Sequence, residues 1–208
     1  MRRSYLDFLQ QKPKSKGLNM KSKRLPPGQR EAKGTPLRQI GAIPKINLNT
    51  WRLKVYGEVE NPTTFTFEDL KTKPTITSTS DFHCVEGWSI LNNKWEGIPF
   101  KTITKTVQPK QKAKHATFEC EDGYTTSLLL SELLEDNVLL AYKLNDKPLT
   151  PERGGPLRLI IAKKYAYKSP KWIKKIRLTT KQELGYWETR GYSNTADAWK
   201  EERYQKQN

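Results

Sequence analysis

Apolar and polar positions in this chain change period every few residues. Trp51, Leu53, Val55 and Gly57 alternate with Arg52, Lys54 and Tyr56, which predicts a strand with one buried face. Asn61-Pro62 turns the chain, residues 64–67 read as a second short strand, and Phe67-Glu68-Asp69-Leu70 opens a short helix. Residues 76–82 are rich in Thr and Ser with β-branching and predict a strand that ends at His83-Cys84. Pro99 stands near the first turn of a helix expected to run to about Thr106. Further strands are predicted at 116–120, 138–144, 157–161 and 172–179, with an extended stretch at 124–127 and a short helix at 128–134. The last strand alternates imperfectly. Many short strands with few short helices predict an α+β domain of mixed sheets rather than an alternating parallel sheet.

The two ends follow other patterns. Residues 1–25 are lysine-rich, with apolar Tyr5, Leu6, Phe8 and Leu9, and read as a short amphipathic start followed by a mobile basic segment. The domain proper is expected over 26–208. Residues 26–45 hold Pro26, Pro27, Gly28, Gly34, Pro36, Gly41 and Pro44, which suits a loop wrapped over a domain. Near the C-terminus, Trp187, Tyr192, Trp199 and Tyr204 are costly to leave in water, so this tail is expected to dock.

Charge refines the picture. The chain has 208 residues and a net charge of +16, which invites a nucleic-acid reading. Residues 1–45 carry 12 basic and 2 acidic side chains, 46–152 carry 12 and 15, 153–181 carry 10 and 0, and 182–208 carry 4 and 5. The excess therefore sits in two blocks that need separate explanations. No apolar run approaches ~18–20 residues, so no membrane anchor is expected. Met1-Arg2-Arg3 is not followed by an apolar core of a secretory signal, and two cysteines build no disulfide framework, so a cytoplasmic protein is expected.

Three segments carry candidate chemistry. In FHCVEGWS (82–89), Cys84 follows a strand beside His83 and Gly87, where a thiolate can meet a cavity and bind a transition metal. It also fits a small buried hydrophobe. A zinc site would need His83, Cys84, His115 and Cys120, at a spacing poor for a tetrahedral ion. In residues 152–176, Arg158 lies inside an apolar strand, which calls for an anion, and Ser169-Pro170 makes a turn that offers backbone N–H groups to a phosphate. Residues 184–204 are dense in aromatics.

Taken in order, CVEGWS (84–89), GGPLRLIIAKKYAYKSPKW (154–172) and GYWETRGYSNTADAWKEERY (185–204), with RLPPGQ (24–29) and LKVYGEV (53–59) upstream, resemble the molybdopterin-binding domain of the sulfite oxidase family. The resemblance covers about 24–204 and is nearest to short stand-alone members related to the methionine-sulfoxide reductase catalytic subunit. It implies one molybdenum on a pyranopterin dithiolene, with Cys84 as the protein's metal ligand. It further implies that Arg158 contacts the pterin and that Ser169-Pro170-Lys171 hold its terminal phosphate. Glu86 matches an acid near the metal, and His83 and Cys120 match positions at the cofactor or pocket. Arg153 falls where the reductase-type relatives have asparagine. Val85-Glu86-Gly87-Trp88 replaces the arginine-rich sequence of sulfite oxidases proper, which weakens sulfite as the substrate. The implied activity is oxygen-atom transfer to or from a small sulfur-containing or anionic molecule. Lys163, Lys164 and Arg158 bias the expected pocket toward anions. Its electrons come from or go to an external carrier. The rival readings are a basic nucleic-acid-binding protein and a family member without cofactor.

Overall fold

The structure, a computed structural model, describes residues 24–206. The expected amphipathic start around Tyr5, Leu6, Phe8 and Leu9 lies outside the described residues. Arg24, assigned from sequence to the mobile segment, is tied down: its guanidinium holds Asp81 at 2.8 Å.

Eleven strands, among the described residues, form two sheets. The first contains β1 (Arg30–Glu31), β4 (Ile76–Cys84), β5 (Trp88–Pro99), β8 (Leu139–Leu144), β9 (Lys147–Pro148) and β10 (Arg158–Ile160). Its spine is β5, which pairs antiparallel with β4 along one edge. On the other edge β5 meets β1 in parallel near Trp88 and β8 antiparallel from Trp95 to Pro99. The second sheet has the order β3 (Thr63–Phe65), β2 (Leu53–Gly57), β11 (Ile173–Thr179), β6 (His115–Cys120), β7 (Thr125–Leu129). Only the β2–β11 pair is parallel in that sheet.

The alternation of β2 buries Leu53 and Val55 and exposes Lys54. In β11 a register shift between Ile173 and Lys175 accounts for the imperfect alternation: two lysines fall between buried Ile173 and Ile176 without breaking the strand. The core lies between the sheets, where Leu53, Phe118 and Ile176 meet Ile98, Leu140 and Leu159. Helix α1 (Phe67–Lys71) starts on a capping box in which Thr66 and Asp69 bond each other's backbone. Helix α2 (Phe100–Val107) starts just after Pro99 and sinks Phe100, Ile103 and Val107 into the core. A one-turn helix α3 (Leu130–Leu133) follows β7.

The aromatic tail docks, as its composition requires. Tyr192 is buried, and Tyr186, Trp187 and Tyr192 pack ring on ring. Docking is incomplete at two of the four expected residues: Trp199, whose ring meets His83, is 49% exposed, and Tyr204, whose ring meets Tyr192, is 46% exposed.

Candidate active site

A cavity of about 340 Å³ opens between the loop after β4, the segment 151–172 and the docked tail. Three walls define it.

The first wall is the cysteine loop. Phe82, Val85 and Glu86 line the cavity, and the intervening Cys84 is buried just behind them. The thiol is free, and burial pushes it up to about 12. Gly87 takes φ +90°, with its N–H bonded to the Cys84 carbonyl, so the chain reverses tightly before β5 begins. Gln29 donates to the same carbonyl at 3.0 Å and holds the loop from the N-terminal side. Glu86 accepts from Arg38 Nε at 2.9 Å and from the Trp88 indole N–H at 3.0 Å. Burial opposes ionisation of this carboxyl, but Arg38 and Trp88 outweigh it and hold Glu86 below its ordinary value.

The second wall is cationic. Arg158 is buried in β10, stacked over Phe82 and Trp95 at 5.0 and 5.4 Å from their ring centres. Its two terminal nitrogens donate to the carbonyls of Arg153 and Ser169 at 3.0 and 3.1 Å, and its Nε has no partner. Arg153 ends a short 3-10 turn, and Gly154 follows at φ +100°. A Cβ on Gly154 would lie 2.8 Å from the Lys171 side chain, so this glycine is what lets Lys171 cross the loop to the cavity. Among the described residues no carboxylate lies within ion-pair distance of Arg153, Arg158 or Lys171. The crowding is visible in their titration. Burial first, then Arg153, pushes Arg158 down to about 9; burial first, then Arg158, pushes Lys171 down to about 8.

The third wall is aromatic: Tyr124, Tyr167, Trp172, Tyr186, Trp187 and Tyr192. The hydroxyls of Tyr124 and Tyr167 donate to the carbonyls of Tyr167 and Ser193, so their polar ends are satisfied within the protein. Behind this wall Lys168 and Glu188 form an ion pair with no solvent exposure on either side chain. Lys168 also donates to the Ser127 carbonyl at 2.9 Å, and Thr126 donates to Glu188.

Of the residues singled out from sequence, Glu86, Arg153, Arg158, Ser169, Pro170 and Lys171 are brought together on the cavity; Cys84 is not on the lining but is buried in the chain between the lining residues Phe82 and Val85. His83 and Cys120 are not on its wall. Strand alternation turns His83 to the opposite face from Phe82, where its Nδ1 bonds Ser89 Oγ at 2.9 Å and its ring meets Trp199. Cys120 belongs to the main core, 1% exposed. The zinc combination does not form: among the described residues no three His, Cys, Asp or Glu side chains converge. In the turn at 169–171 the Ser169 N–H already bonds the Ala166 carbonyl and Pro170 has none, which leaves the Lys171 N–H and the Lys171 side chain as the donors the turn can offer. Lys163 and Lys164 are not at the cavity; both are ion-paired to Glu132, and Lys163 also to Glu135. Arg38, Gln39 and Asp122 line the cavity without any local sequence signal.

A buried guanidinium with an unused N–H, flanked by two more cations that have no carboxylate at ion-pair distance, suits an anion. A phosphorylated organic cofactor in an apolar, aromatic cavity provides one. A family model described as the oxidoreductase molybdopterin binding domain matches residues 40–187. The chain belongs to this family: it is a molybdopterin-dependent oxidoreductase, and its cofactor is molybdenum-molybdopterin. It is 39% identical over 184 residues to "Uncharacterized oxidoreductase YuiH" of Bacillus subtilis, covering 88% of this chain and 93% of that protein. It is 29% identical over 167 residues to the protein-methionine-sulfoxide reductase catalytic subunit MsrP of Campylobacter jejuni, covering 72% of this chain and 56% of that one. The chain thus spans little more than half of that longer relative. The fold matches that of the sulfane dehydrogenase SoxCD from Paracoccus pantotrophus, with a TM-score of 0.67 at 23% identity over 74% of this chain and 46% of the other.

Proposed function

We propose that this oxidoreductase transfers an oxygen atom to or from a small neutral sulfur compound, with Cys84 as the protein's ligand to molybdenum. The observation that carries this reading is the division of the cavity. Arg153, Arg158 and Lys171, none of them at ion-pair distance from a carboxylate, gather around the 151–171 loop, and the cysteine loop stands on another wall. Arg153, Arg158 and Lys171 would take the cofactor's phosphate, and Cys84 would ligate the metal from the cysteine loop. The bound cofactor supplies two-electron redox chemistry and exchangeable oxygen.

This chain's own residues then do three things. Arg38 and Trp88 favour the ionised form of Glu86, which places a negative charge two residues from Cys84 in the cysteine loop. Aromatic rings exclude water and offer faces suited to a thioether or sulfoxide sulfur. The Lys168–Glu188 pair anchors the segment that presents Ser169 and Lys171. An anionic substrate is disfavoured. Of Lys163, Lys164 and Arg158, which suggested one, the two lysines are ion-paired away from the cavity and Arg158 is given to the cofactor's phosphate. Electrons are exchanged with an external carrier.

Protein purified from a molybdopterin-producing host should carry near-stoichiometric molybdenum and turn over neutral sulfoxides with a dye electron donor, while Cys84→Ser should not. Faster turnover of sulfite than of any neutral sulfur compound would overturn the substrate reading. Undiminished turnover by Cys84→Ser would overturn the ligand.

A further inference from the structure

Residues 35–40 lie across the cavity as a strap. Pro36, Leu37, Arg38, Gln39 and Ile40 all line it from the outside. Upstream the chain is fixed to β5, where the N–H groups of Arg30 and Ala32 bond the carbonyls of Gly87 and Ser89. Downstream, Ile40 and Ile46 pack on the main core. Between these anchors, residues 33–46 make no backbone–backbone hydrogen bond among the described residues. Gly34, at φ +76° with open space where a Cβ would be, and Gly41, also in open space, bracket the strap and leave the backbone free to pivot.

The strap is held by side-chain contacts to groups around the cavity. Arg153 Nη2 donates to the Thr35 carbonyl at 3.0 Å. Lys171 Nζ reaches Gln39 Oε1 at 3.4 Å. Arg38 grips Glu86 with Nε at 2.9 and 3.0 Å and with Nη2 at 2.9 Å. Two of these three fasteners are the cations assigned to the cofactor's phosphate, and the third is the acid beside Cys84. A ligand on Arg153 and Lys171 therefore reorganises the same donors that hold the strap.

We propose that segment 35–40 is a closing strap that seals the cofactor into the cavity, and that Arg38 is its latch on Glu86. The proposal rests on the placement of the cofactor in this cavity. The strap swings on its glycine-flanked ends to admit the cofactor, and the latch, the one fastener that does not compete with the phosphate, holds it shut afterwards. Arg38 acts here as a positioning residue. Its removal raises the rate of cofactor escape without removing a cofactor-binding group.

The test uses holoenzyme from a molybdopterin-producing host. After desalting, molybdenum retained by the protein and fluorescence of released oxidised pterin are followed over time. Arg38→Ala should start with wild-type molybdenum content and lose it about two- to fivefold faster, the factor expected for one partly exposed bidentate pair. Arg38→Lys, which keeps charge but not the fork, should fall between. Amide hydrogen exchange over residues 33–42 should be fast in protein made without cofactor and slowed in holoenzyme, with the slowing reduced in Arg38→Ala. A release rate unchanged by Arg38→Ala overturns the latch, and identical exchange with and without cofactor overturns the strap. Arg158→Ala serves as the separate control: if that variant keeps full molybdenum, it is the cofactor's placement that fails.

Discussion

The basic run 153–181 holds two populations of cations that sequence cannot tell apart. On β11, Lys174, Lys175 and Arg177 meet Glu121, Glu119 and Glu183 at 3.5, 3.3 and 2.7 Å across the sheet edge and from the following loop. Around the cavity, Arg153, Arg158 and Lys171 have no carboxylate at ion-pair distance; Arg153 lowers the proton affinity of Arg158, and Arg158 and Arg153 lower that of Lys171, with Asp122 and Glu152 opposing them at Lys171. The paired set is half in water and close to energetically neutral. The unpaired set carries mutual repulsion that Asp122 and Glu152 offset in part and that an incoming anion would relieve further. What separates structure from function here is therefore missing counter-charge, not charge.

Substitutions across the run should break into classes accordingly. The largest effect belongs to Lys168, which is in neither set because its partner is buried with it. Lys168→Met strands Glu188 without water and should cost about 3–5 kcal/mol of folding stability, read by chemical denaturation. A Lys168→Met/Glu188→Leu double variant should recover most of that loss. Arg158→Ala comes next and splits by state. Cofactor binding should weaken by about 2–5 kcal/mol, read as lost molybdenum, while the cofactor-free protein should lose little stability because an uncompensated buried charge has gone.

Lys171 sharpens the comparison by pH. Its folded value, about 8, lies below its ordinary 10.5, so the unfolded chain holds this proton more tightly. The cofactor-free protein should therefore gain stability as pH rises from about 8 toward 10.5. Cofactor uptake should weaken over the same rise, as the cationic form that binds phosphate is lost. Lys171→Met should flatten both profiles. The smallest effect belongs to Lys175→Ala, with about 0–1 kcal/mol of stability and no change in molybdenum content.

Much of the fold was legible from apolar patterning: β2 alternates, burying Leu53 and Val55, while β6 and β8 are short apolar runs whose Ala116, Phe118 and Leu139 to Ala141 are buried. β5 was not legible. Asn92 takes φ +55° within it, opposite a register shift in β4, and the polar run Asn92-Asn93-Lys94 carries no strand pattern. The strand persists because it is paired along both edges. At the site, residue type and order singled out Glu86, Arg158 and Lys171. The acids that cancel the remaining lysines lie tens of residues away in other strands and loops, which no local count can pair. Arg38 escaped notice for the same reason: its partner Glu86 is 48 residues further on and is reached only after the N-terminal segment wraps the domain.

The most direct test is the molybdenum-to-protein ratio of two double variants made in one host, Arg158→Ala/Lys171→Ala and Lys174→Ala/Lys175→Ala. Each removes two positive charges from the same run. The account predicts near-complete loss of molybdenum from the cavity pair and an unchanged ratio in the β11 pair. Equal ratios in both would contradict it.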